Sequence, residues 1–120
     1  MDTNDAKNTT RPLKPAALYV LLALADRDLH GYAVMQAVRE MSGGRVPLRT
    51  GSFYRHLSQL LGAGFAAEAA PRRGPADPRR GADYHLTARG RQVLERERRH
   101  LAGLVAAMDA LRPSSRKGLA

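Results

Sequence analysis

The sequence predicts a mainly helical α+β fold: three helices, a β-hairpin, and then one long helix. Three observations carry this expectation. Apolar residues recur at helical spacing in three segments between Pro15 and Leu61. Two short strand-like runs, Phe65 to Ala70 and Ala82 to Thr87, flank a segment that proline and glycine keep out of regular structure. A heptad pattern then runs from Ala88 to Leu111.

The most informative element is the third helix, Thr50 to Leu61 (TGSFYRHLSQLL). Phe53, Leu57, Leu60 and Leu61 fall at i, i+4, i+7 and i+8, one face of a helix. Ser52, Arg55 and Gln59 gather on the opposite face, with His56 and Ser58 on its flanks. Thr50 is expected as the N-cap, its hydroxyl accepting from an early helical amide. Taken alone, this is an ordinary surface helix; its neighbours give it more meaning.

Before it, residues 1–12 are polar and aperiodic and read as a disordered lead-in. Pro15 suits a first helical turn, where its missing N–H costs nothing. The run AALYVLLALA that follows is apolar on every side, which predicts a fully enclosed helix partly covered by a second chain. His30 and Gly31 turn into a second helix, Tyr32 to about Ser42, with Val34, Met35, Ala37, Val38 and Met41 inward. Gly43 and Gly44 stop it, and Gly62 and Gly64 are expected to stop the third helix.

The segment PRRGPADPRRG, with three prolines and two glycines, makes a hairpin loop that carries Arg72, Arg73, Arg79 and Arg80. In the return strand, Tyr84 and Leu86 alternate with Asp83 and His85. Thr87 caps the last helix, in which Leu94, Leu101 and Met108 are spaced by seven, as are Glu97, Leu104 and Leu111. This predicts a dimerisation seam with one acidic interruption at Glu97. Residues 112–120 form a basic tail without structure signals.

Three helices, a hairpin and a long helix is the order of a winged helix-turn-helix with an added dimerisation helix. That divides the chain into a DNA-binding unit at 13–87 and a dimerisation helix at 88–111. In this arrangement the third helix enters the major groove.

Composition agrees. Twenty Lys and Arg against eleven Asp and Glu give a net charge of +9, which favours a polyanionic partner. An apolar content of 43 % is that of an ordinary globular protein. With no cysteine, disulfides, thiol nucleophiles and cysteine-bound zinc are excluded. The longest apolar run is too short to span a bilayer and no signal-peptide pattern is visible, so a cytoplasmic location is expected. His30, His56, His85 and His100 are scattered without metal-ligand spacing. Ser52 and His56 at i, i+4 lack an orienting acid or an oxyanion hole, so the sequence predicts neither an enzyme nor a cofactor site.

Three segments bring a family resemblance with them. His30-Gly31-Tyr32 opens the second helix, GSFYRHLSQLLGAGF spans Gly51 to Phe65, and ADYHLTARG spans Ala82 to Gly90. In order and spacing they resemble the PadR family of bacterial transcriptional regulators, over roughly Lys14 to Leu111. Ser52 stands where the family often has Thr, Phe53 where it has Leu, and Asp83 where it has an aromatic. The single last helix resembles the short branch of the family.

The resemblance implies a homodimeric regulator, most simply a repressor, on a pseudo-palindromic double-stranded operator. It also implies a possible small-molecule effector bound near the dimer interface.

On that basis the recognition-helix contacts are Thr50, Gly51, Ser52, Tyr54, Arg55, His56 and Gln59. Ser52 and Tyr54 would donate to phosphate, Arg55 would read a guanine edge, and a half-buried packing role is the alternative for Tyr54. The wing contacts are Arg72, Arg73, Arg79 and Arg80, supplying affinity and salt dependence. Dimerisation falls to Leu94, Leu101, Leu104, Met108 and Leu111.

Two other classes remain in play. One is a winged-helix protein-protein interaction module that does not bind specific DNA. The other is a membrane-surface protein, which the mixed charges of the last helix, including Glu95 and Glu97, oppose.

Overall fold

The computed structural model describes residues 12–69 and 82–111. In chain order it contains α1 (Pro15–Asp26), β1 (Leu29–His30), α2 (Gly31–Ser42), α3 (Thr50–Ala63), β2 (Ala66–Ala69), β3 (Asp83–Leu86) and α4 (Ala88–Ala110). The four wing arginines, residues 1–11 of the lead-in and the basic tail lie outside the described residues.

The expected α+β architecture is present, with one strand more than the sequence suggested. The sheet has the order β1-β3-β2, all antiparallel. Tyr84 of β3 sits between Leu29 on one side and Glu68 on the other. His30, expected only as a turn residue, therefore pairs with Asp83 and also caps α2, its Nδ1 accepting from the Ala33 amide at 3.4 Å.

The core gathers where α1 crosses α2, α3 and α4. Val20, Leu21 and Leu24 from α1 meet Val34 and Val38 from α2 and Phe53, Leu57 and Leu60 from α3. Phe65, Leu86 and Val93 close the side next to the sheet and α4. Burial of each such side chain contributes about 1.5–3 kcal/mol, so α1 acts as the spine on which the other helices are fixed.

Within the single chain the apolar run of α1 leaves Leu22 42 % exposed, the one large apolar residue of this helix that its own domain does not cover. Met41, expected inward, is also exposed, and its neighbour Ser42 takes the buried position in the last turn of α2.

Helix ends explain the position of α3. Gly43 adopts φ 62°, the left-handed conformation that glycine tolerates, and closes α2. The N-cap of α3 is Arg49 rather than Thr50. Arg49 is extended at φ −88° and ψ 158°, and its carbonyl accepts the Phe53 amide at 2.8 Å. Thr50 is thus already helical, and no side chain caps this end. Gly62 lies inside the helix, which stops at Gly64 with φ 81°.

Candidate nucleic-acid interface

The apolar residues of α3 are sunk in the core. Phe53, Leu57 and Leu60 are between 0 and 3 % exposed. That fixes the rotation of the helix, and Thr50, Gly51, Tyr54, Arg55, Ser58 and Gln59 consequently face outward. No acidic residue lies in its first turn or anywhere along it.

Of the expected contacts, Thr50, Gly51, Tyr54, Arg55 and Gln59 are exposed, while Ser52 and His56 are half-buried. The Ser52 hydroxyl donates back to the Arg49 carbonyl at 3.1 Å, which leaves it an acceptor at the surface. The uncapped amides at the start of α3, the helix dipole and Gly51 together make an anion-attracting terminus.

Tyr54 is placed by a contact that sequence reasoning missed. Its hydroxyl covers the start of α2 so closely that a Cβ at Gly31 would lie 2.6 Å from it. The ring meets Phe53 edge-on, with centroids 4.8 Å apart and planes at 71°. Tyr54 is still 47 % exposed, so it both packs and presents a face to solvent. The glycine of the second helix and the tyrosine of the third are two halves of one contact.

His56 sits on the flank of α3. Burial first, and then the charges of Arg55 and Lys14, hold its imidazole below the ordinary histidine range. In the free chain this favours the neutral imidazole, which keeps one N–H donor. Lys14 had not been singled out, because nothing in its local sequence points toward α3. Arg45 and Arg49 are exposed in the connection leading to the helix, and they add positive charge next to its N-terminus.

On the sheet, Tyr84 is pushed above its ordinary value by burial, then by Glu68 and Tyr54. The phenol stays protonated near neutrality and keeps its hydroxyl donor.

The long helix α4 has two regions. Gly90, Val93 and Glu97 are buried against the rest of the domain. Glu97, expected as an acidic interruption of the dimer seam, instead turns inward and accepts the Leu13 amide at 3.1 Å. Sequence periodicity places it on the same stripe as Leu104 and Leu111, but cannot say which body covers each level of that stripe.

Past Glu97 the stripe is open. Leu101, Leu104, Val105, Met108 and Leu111 are 43 to 77 % exposed, and Val105 is an addition to the expected set. Leu94 is half-buried and joins Leu18, Leu22 and Leu101 around an apolar groove of about 440 Å³ between α1 and α4. Arg91, Glu95 and Arg98 form its rim, with an Arg98–Glu95 ion pair at 2.6 Å. Among the described residues no group of His, Asp or Glu is arranged to hold a metal, and no helix is long and apolar enough to cross a membrane.

A model of the PadR-like family of transcriptional regulators matches residues 20–96, the stretch from the middle of α1 to the last buried turn of α4. The chain belongs to this family. PadR-like proteins are regulators of transcription and not enzymes.

The fold agrees with solved structures of transcriptional regulators. A PadR family regulator from Clostridium difficile superposes with a TM-score of 0.66 at 19 % identity, covering 82 % of this chain and 98 % of that one. A putative transcriptional regulator from Thermoplasma acidophilum gives 0.59 at 26 % identity, covering 80 % and 88 %. An uncharacterized 37.1 kDa protein in transposon Tn4556 of Streptomyces fradiae is 38 % identical over 105 residues. That match takes in 87 % of this chain but only 25 % of the transposon protein, so the chain spans about a quarter of its relative's length.

Proposed function

We propose that this PadR-like chain is a sequence-specific DNA-binding transcriptional regulator that works as a homodimeric repressor. The observation that carries this is the rotation of α3. With Phe53, Leu57 and Leu60 locked in the core, a face that includes Gly51, Tyr54, Arg55 and Gln59 and has no acid is left to solvent. A face of that kind fits the major groove, where Arg55 can give two bonds to a guanine edge.

In this reading residues 13–87 are the DNA-binding unit and residues 88–111 pair two copies. The open stripe on α4 supports a second copy as the partner. The adjoining α1–α4 groove has a rim with both signs of charge, so two identical surfaces related by a two-fold axis can place Arg91 or Arg98 of one protomer against Glu95 of the other. Pairing would space two α3 helices to fit successive major grooves, about 34 Å apart.

The arginines of the wing, Arg72, Arg73, Arg79 and Arg80, add phosphate contacts, and occupancy of the operator blocks polymerase. An effector that alters the angle between the two heads would release the DNA.

The test is a gel shift of the full chain on its own upstream intergenic DNA, against scrambled competitor, at two salt concentrations. A discrete band that persists in competitor and at the higher salt is expected. A smear lost in both would reduce the +9 charge to non-specific attraction and favour a protein-interaction module built on the same α4 stripe.

A further inference from the structure

A second cavity, of about 410 Å³, lies against the flank of α3 and shares no residue with the α1–α4 groove. Its size is in the range of small-molecule sites, roughly 300–1,000 Å³. Burial separates its floor from its rim. Leu60 and Phe65 are 3 % and 2 % exposed and, with Leu13, form an apolar floor. Lys14 and Gln59 are exposed at the rim, with His56 half-buried between floor and solvent. No carboxylate is among the described residues that line it.

The three rim groups are all hydrogen-bond donors: an ammonium, a carboxamide and an imidazole. An apolar floor below a rim of donors, one of them cationic and none opposed by an acid, is complementary to one kind of molecule. We propose that this cavity binds a small organic monoanion with an apolar body, its carboxylate held by Lys14, His56 and Gln59 beside the recognition helix.

The electrostatics of the site point the same way. His56 is held neutral by burial and by the positive charges of Arg55 and Lys14. A bound carboxylate offsets those charges, so the imidazole pKa rises on binding. The ligand would also affect DNA binding, a consequence that rests on the DNA reading given above. His56 and Gln59 flank the face that meets DNA, and an anion among them removes positive potential where phosphate must approach. Ligand and DNA then weaken each other by the same factor.

The experiment is an NMR titration of the full chain with sodium hexanoate, with sodium acetate and 1-hexanol as controls. Saturable shifts at His56, Leu60 and Phe65 are expected, together with a rise in the His56 pKa. Acetate lacks the apolar body and hexanol lacks the charge, so each should bind roughly tenfold more weakly or worse. The exposed Lys14 is replaced in Lys14→Ala, which should weaken hexanoate by about tenfold and leave the spectrum of the core unchanged.

No saturable shift overturns the site, as do shifts confined to Leu94 and Leu101 or unchanged affinity in Lys14→Ala. None of these readouts involves DNA, so failure of the DNA reading would leave the titration decisive. Binding of hexanoate without any loss of operator affinity would overturn the regulatory role.

Discussion

The Thr87 hydroxyl donates to the Gly64 carbonyl at 2.6 Å, across 23 residues of chain. The same oxygen accepts the Gly90 amide at 3.0 Å and so caps α4. Gly64 is the residue that ends α3. One hydroxyl therefore joins the end of the helix proposed to read DNA to the start of the helix proposed to pair the protomers. In the proposed dimer, a rigid joint at this point would let the pairing geometry fix the spacing of the two α3 helices.

Thr87→Val keeps the shape of the side chain and loses both bonds. The part-buried Gly64 carbonyl and the first amides of α4 are left without this partner, so stability should fall by about 1–2 kcal/mol in urea unfolding. Thr87→Ser, which keeps the oxygen, should lose much less. Equal losses in the two variants would mean that packing rather than hydrogen bonding matters at this position.

Beside this joint α4 lies almost on the backbone of the chain before β2. A Cβ at Gly90 would be 2.1 Å from the Phe65 carbonyl oxygen and 3.0 Å from its carbon. Both are backbone atoms that cannot swing away, so Gly90→Ala should destabilise by roughly 3 kcal/mol or more. Gly103, on the same helix, has nothing within 4 Å of its Cβ position. Gly103→Ala should stabilise by about 0.5–1 kcal/mol through helix propensity alone. Thermal unfolding of the two variants checks both signs.

How far the sequence could be read follows from the range of each signal. The rotation of α3 was legible because Phe53, Leu57 and Leu60 repeat at helical spacing, and the Thr87 cap because capping is a local rule. Strand β1 was not, since two residues are too few to show alternation. The Gly31–Tyr54 contact and the Glu97–Leu13 bond join residues far apart in the chain, and no periodicity encodes either. The capping of α3 was misplaced by one residue, because the extended backbone of Arg49, rather than the hydroxyl of Thr50, sets where the helix begins.

Acid should weaken the fold through His56. Its folded pKa lies below the unfolded value, so the unfolded chain binds the proton more readily. The contribution of this group is complete above the unfolded value of 6.5 and is lost as pH falls through the folded pKa. Urea midpoints should therefore drop between neutral pH and mildly acidic pH, and His56→Gln should reduce that drop. An unchanged pH profile in the variant would show that another group governs it.

Pairing through α4 is tested by placing a charge on the open stripe. Leu104 is 46 % exposed in the isolated chain, so Leu104→Glu should leave the fold of the monomer intact. Sedimentation velocity should show a dimer for the natural chain and a monomer for the variant, with operator affinity falling at least about tenfold as two-site binding is lost. A dimer that persists in Leu104→Glu would move the interface elsewhere.

The most direct test of sequence recognition by α3 is selection of binding sites from a pool of random duplexes, with the natural chain and with Arg55→Ala in parallel. The natural chain should enrich a pseudo-palindrome whose half-sites are about one helical turn, or a multiple of it, apart. Arg55→Ala should relax the preference at one base pair in each half-site, a loss of about 1–3 kcal/mol in discrimination. No enrichment, or an identical preference in the variant, would contradict the assignment of this face to DNA.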